Sequence, residues 1–163
     1  MATVYPKLSA PARRPWTVWL LVAMLLITGI GALPAGYSFV TDPSGVGMDM
    51  AGRLDGTIFA RLGYFLVPGI FLILVNGLCT LLLAYALAAR PQWGWARALN
   101  PVKGQHWAWT GTVAYGAFLL VWLAVQVAMI GFGFALQYVF LVWGLVFLLL
   151  PFERQLRTYF KER

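Results

Sequence analysis

A few uncharged polar side chains sit inside otherwise apolar stretches, and their spacing limits the chemistry they could do. Asn76 and Thr80 are four residues apart and so share one face if the segment is helical. Gln126 follows Trp122 by one turn and Tyr115 by eleven residues, and Gln137 stands near the start of the next apolar run. In lipid an unsatisfied amide is costly, so these groups should point inward and bond to each other or to backbone. Two readings are open. The residues are interhelical hydrogen-bonding glue, or Asn76, Thr80, Trp122, Gln126 and Gln137 line a small polar site in a central cavity.

A second constellation is Asp42-Pro43-Ser44-Gly45. It reads as a turn, because Asp caps its own following backbone, Pro fixes φ and Gly allows a tight reversal. Ser44 has no His or Lys base nearby, and Asp42, Asp49 and Asp55 lack the spacing of a metal loop. The single cysteine, Cys79, leaves no intramolecular disulfide or thiolate pair. The single histidine, His106, beside Trp107, has the structural or solvated reading as its default. With no Cys/His pair, His cluster or convergent carboxylates, the expectation is a non-enzymatic protein without a metal or cofactor.

The elements that must position these residues are helices in a membrane. Hydrophobic residues make up 61% of the 163 and charged ones 10%, against roughly 25% in soluble domains. A hydrocarbon core about 30 Å thick needs about 20 helical residues to cross. Apolar runs at about 16–40, 62–89, 107–130 and 134–150 satisfy that. Pro34 and Gly36 lie near the outer end of the first run, Pro68 falls in the first turns of the second, and Arg90-Pro91 stops it. Gly131-Phe132-Gly133 marks a tight turn that makes an antiparallel hairpin of the last two spans. A cleavable signal peptide competes for the first run, but that run is long and Leu33-Pro34-Ala35 is a poor cleavage site. A retained helix is expected.

The fold class expected is therefore an all-α, four-span bundle over 16–152, with a flexible tail at 1–15 and a charged tail at 153–163. Lys and Arg number three in the first tail, three from Arg90 to Lys103 and four in the last tail, against Arg53 and Arg61 on the other side. Ten against two places both ends in the cytoplasm. Trp16, Trp19, Trp93, Trp95, Trp107 and Trp109 gather at that interface as an aromatic belt. The net charge of +7 follows from this topology, and nucleic acid is not an expected partner. Met48, Met50, Leu54, Ile58, Phe59 and Leu62 recur at near-helical spacing, predicting a short amphipathic helix on the outer surface. Small residues at Thr80, Ala84 and Ala88, and at Ala124 and Ala128, would let helices approach closely, within the bundle or against a partner.

The order Asp42-Pro43-Ser44-Gly45, Pro68-Gly69, Asn76-Gly77, then Trp122 with Gln126 and Ile130-Gly131, resembles short bacterial four-helix integral membrane proteins of unknown function. The resemblance covers most of the chain from Val18 onward. It implies the four-span fold and a bacterial inner membrane, and it implies no activity. No charged residue falls inside a span, which argues against a proton-coupled transporter. The functional expectation is an accessory subunit or scaffold acting through helix packing, with a membrane protein partner or a second copy of itself. The alternatives are a small carrier for an apolar or lipid-like molecule, and a membrane enzyme with an unrecognised cofactor.

Overall fold

A computed structural model describes residues 14–162. The expected tail at 1–15 therefore falls almost wholly outside the described residues, as does Arg163. The fold is all-α, and four of its helices are long and apolar enough to cross a membrane. These are α1 (Trp16–Thr41), α3 (Leu66–Ala89), α5 (Trp107–Ile130) and α6 (Ala135–Leu149), the last prolonged by a 3-10 turn to Phe152. Three short helices sit between or after them: α2 (Ile58–Arg61), α4 (Gly94–Leu99) and α7 (Arg154–Tyr159). The chain is a multi-pass integral membrane protein.

Lipid tails are as apolar as leucine, so helix association here depends on close packing and hydrogen bonds. Glycines supply the closest approaches. α1 and α3 run antiparallel, and a Cβ on Gly36 would lie 2.8 Å from the Gly69 carbonyl oxygen. Gly77 admits Leu33 and Gly29 admits Leu81 in the same interface. α5 and α6 form a second antiparallel hairpin, where Gly116 lies against the backbone of Phe147 and Leu148 and Gly144 admits Leu120. The two hairpins join through α3 and α5, by Leu83 at Gly111, Tyr115 at Asn76, and Phe71 stacked on Trp122 with ring centroids 4.0 Å apart. Of the two small-residue runs, Thr80 and Ala84 are buried, whereas Ala124 and Ala128 are exposed.

α1 runs unbroken through Pro34, because a membrane helix tolerates the one missing donor when neighbouring segments protect the backbone. The second span starts four residues later than expected, since Gly63 and Tyr64 adopt positive φ just before it.

The expected amphipathic helix after Val46 is not formed. Only Ile58–Arg61 is α-helical, preceded by a 3-10 turn at Val46–Met48 and a series of turns. Asp49, Gly52 and Gly56 all have positive φ, which no continuous right-handed helix accommodates. Instead the segment folds over the end of the bundle. Leu54 is 4% exposed and packs with Phe39 and Phe65, whose rings stack at 4.7 Å.

The C-terminal segment differs as well. It docks across the opposite end rather than extending as a free tail: Leu156 and Phe160 are buried, and the Phe160 carbonyl accepts from the His106 backbone N–H at 2.8 Å. Of the six belt tryptophans, Trp16, Trp19 and Trp95 are exposed. Trp107 and Trp109 act as clamps, donating to the carbonyls of Pro91 and Pro151.

Candidate functional site

The polar residues singled out from the sequence separate into three places. Asn76 lies in the middle of α3, within a π-helical stretch over Leu72–Cys79. Such wider turns displace the i→i−4 ladder and often mark functional positions. Thr80 begins the α-helical stretch that follows, and its hydroxyl donates to the carbonyls of Asn76 (2.5 Å) and Gly77 (2.9 Å). It thus shares its one donor between two carbonyls where the ladder changes register. The Asn76 side chain is 1% exposed; its Oδ1 accepts from the Tyr115 hydroxyl at 3.0 Å, and its Nδ2 has no partner among the described residues.

Removing the Tyr115 hydroxyl isolates that bond. Tyr115→Phe should cost about 1 kcal/mol, since Asn76 Oδ1 would be left buried without a donor. Unfolding of the purified protein in micelles measures it, and an unchanged midpoint would show that the bond contributes nothing.

Gln126 and Trp122 lie elsewhere. Both line a partly open, mostly apolar cavity of about 80 Å³ between the hairpins at the end capped by the loop. The loop contributes Met50, Leu54 and Phe59, and Met129 and Ile130 close it from α5. From Ile130 down to Trp122 the lining follows about 12 Å of helix. Gln126 makes no hydrogen bond among the described residues and supplies the one amide in a wall otherwise of aliphatic, aromatic and methionine side chains. Asn76 and Thr80 do not reach this cavity, so the joint site of Asn76 with Gln126 is not assembled.

Gln137 is a cap. Its Nε2 donates to the Gly131 carbonyl at 3.0 Å, and its Oε1 accepts from the N–H groups of Gly133 (2.9 Å) and Phe134 (3.1 Å). It is 3% exposed and holds the tight turn together, with Gly131 at φ 77° supplying the reversal. A glutamine three residues past a helix start is the recognisable half of a capping box, and that signal was available in the sequence.

The Asp42-Pro43-Ser44-Gly45 turn is a latch. Asp42 accepts from the Ser44 hydroxyl and, at 2.8 Å, from the Gly47 N–H; both bonds hold its carboxyl below the usual range. The Pro43 carbonyl accepts from Phe65 N–H at 3.0 Å, and Gly45, at φ 75°, lets the Phe65 ring lie against the turn. The motif thus fastens the capping loop to the start of α3.

Sequence reasoning placed His106 in a loop beside Trp107 with a structural or solvated role as its default; the structure shows it organising the other end of the molecule. It is fully buried and caps α5, its Nδ1 accepting from the Ala108 N–H at 3.2 Å. That bond puts the ring proton on Nε2, which lies 3.2 Å from the Pro91 carbonyl. Burial is the main cause of its lowered pKa, which the Pro91 bond opposes. Among the described residues no three of His, Cys, Asp and Glu stand together as metal ligands. Compared with family models, with curated proteins and with solved structures, the chain matches none of them. Its likeness to short four-span membrane proteins therefore holds at the level of four long apolar helices, with no family identified.

Proposed function

We propose that the protein is a non-enzymatic accessory subunit that offers one face of α5 to a transmembrane helix of a partner protein. The observation that carries this is a seam on α5. Ala114, Ala117, Val121, Ala124 and Ala128 follow one another at steps of three and four residues, and all five are exposed. Four of the five are alanines, and small residues at this spacing let a second helix come close enough for extended van der Waals contact in lipid. The seam is not consumed inside the bundle. In its most apolar stretch α1 has 44% of positions buried within the chain, whereas α5 and α6 have 22% each.

The ten-to-two distribution of Lys and Arg supports an orientation with both ends in the cytoplasm. The resemblance to short bacterial four-helix proteins supports a bacterial inner membrane. The carrier reading draws less support, because the cavity beside Gln126 is smaller than the roughly 150 Å³ apolar cavity known to take up benzene.

A photo-crosslinker placed singly at positions 117, 121, 124 and 128 tests the proposal in native membranes. One discrete protein adduct is expected from these four positions, with a weaker one from Val125, which is exposed beside the seam. Ala124→Leu should abolish the adduct while leaving the fold intact. Adducts only with lipid would overturn the reading, and an adduct of twice the 18.1 kDa chain would replace the partner with a second copy.

A further inference from the structure

At the end of the bundle bearing Trp16, Ala89 and Trp107, three separate segments bring two guanidinium groups onto one tyrosine. Arg14, preceding α1, donates from Nε to the Tyr159 hydroxyl at 3.1 Å and lies over the Trp19 ring at 5.1 Å. Arg90, just past α3, lies over the Tyr159 ring at 4.7 Å and over Phe160 at 5.5 Å. Arg90 is held there by a left-handed backbone (φ 51°), which ends α3 and turns its side chain across α7.

Neither arginine has a carboxylate partner among the described residues. The one ion pair there joins Arg97 to Glu162 at 3.6 Å, and one oxygen of Glu153 is spent on the Gln155 N–H. The Nε of Arg90 is buried and makes no hydrogen bond. The aromatic contacts fix the two guanidinium planes without using their terminal amino groups. Tyr159, with Trp19 and Trp93 at the same end, is a residue type that settles at the headgroup layer. Seven basic residues against two acidic ones occupy this end among the described residues: Arg14, Arg90, Arg97, Lys103, Arg154, Arg157 and Lys161 against Glu153 and Glu162.

We propose that Arg14 and Arg90, held against the hydroxyl and the ring of Tyr159, bind the phosphodiester headgroup of an anionic membrane lipid. Arginine suits this task because its planar fork donates two parallel hydrogen bonds to a phosphate. The preference for an anionic lipid follows from charge. A zwitterionic headgroup carries its own cation beside the phosphate, whereas an anionic one leaves a net charge for two unpaired guanidiniums. The bound lipid would tie the segment before α1, the end of α3 and α7 together.

Native mass spectrometry of the purified full chain in mild detergent tests this, with phosphatidylglycerol and phosphatidylcholine as the added lipids. The wild type should retain phosphatidylglycerol in preference. Arg14→Gln and Arg90→Gln should each lower retention about fivefold, the ratio equivalent to about 1 kcal/mol per basic residue near an anionic surface. Lys103→Gln, at the same end, should change it little. Arg14 is exposed, so Arg14→Gln decides the matter even if Arg90→Gln fails to fold. Equal retention of the two lipids by the wild type would overturn the proposal, as would an equal fall in all three variants. Displacement of the lipid by millimolar inorganic phosphate would overturn the choice of a lipid as the ligand.

Discussion

Gly116→Ala should destabilise the protein by about 2 kcal/mol, even though alanine is the better helix former. A Cβ at this position would stand 2.5 Å from the Leu148 backbone nitrogen and 2.7 Å from the Phe147 carbonyl carbon. Those are main-chain atoms of the facing helix, so no side-chain rotation relieves the overlap, and α5 and α6 must separate. Overpacking of this kind costs about 1–3 kcal/mol, and even a gap of 0.5–1 Å forfeits about a quarter to a half of each van der Waals contact along the seam. Gly31→Ala is the matched control. It also lies in a spanning helix, but an added Cβ meets nothing within 4 Å, so the intrinsic gain of about 0.5–1 kcal/mol should be realised there. Unfolding in micelles, followed by far-ultraviolet circular dichroism, should move in opposite directions for the two variants. A shift of the same sign in both would show that the Gly116 contact does not limit the α5–α6 interface.

The spans were legible because each is a run of about 20 apolar residues, and bilayer thickness makes length alone decisive. The capping loop was misread for a definite reason. The recurrence of Met50, Leu54 and Phe59 is real and does turn these side chains inward, but toward the cavity between the hairpins. The other three residues of that recurrence, Met48, Ile58 and Leu62, are exposed, so the periodicity identified an inward-facing side chain at only half of its positions. It does not report backbone conformation, and the positive φ values at Asp49, Gly52 and Gly56 preclude a helix whatever the pattern.

The polar residues illustrate a related limit. The shared face of Asn76 and Thr80 was readable from their spacing, but the π-helical stretch over Leu72–Cys79 that carries Asn76 leaves no trace in sequence periodicity. Gln126 was grouped with Asn76 because both are amides in apolar runs. The structure separates them along the bundle, since Tyr115 takes Asn76 while Trp122 and Gln126 face the loop-capped cavity. A partner eleven residues along α5 was thus the better guess for Asn76 than a second amide.

His106→Ala should cost about 2–4 kcal/mol, because one side chain serves three structural purposes at the end opposite the loop. It caps α5 through Nδ1, with a cap worth about 1 kcal/mol. It links α5 to the segment after α3 through Pro91, with a neutral hydrogen bond worth about 1 kcal/mol. Its fully buried ring also stacks on Trp107 (5.7 Å) and lies tilted against Phe160 (6.2 Å), so truncation leaves a cavity. His106→Asn retains a capping oxygen and should recover part of the loss. The pH dependence separates the histidine from any merely steric role. Burial lowers the His106 pKa below its ordinary 6.5 in the folded state, so the folded ring stays neutral where the unfolded chain has begun to take up a proton. Stability is therefore fully present above 6.5 and declines as the pH falls toward the folded-state pKa. Denaturation of wild type and His106→Asn across that range should show the decline in the first and a flatter profile in the second. Identical slopes would mean that His106 takes up its proton at the same pH folded and unfolded, so that burial does not hold the ring neutral.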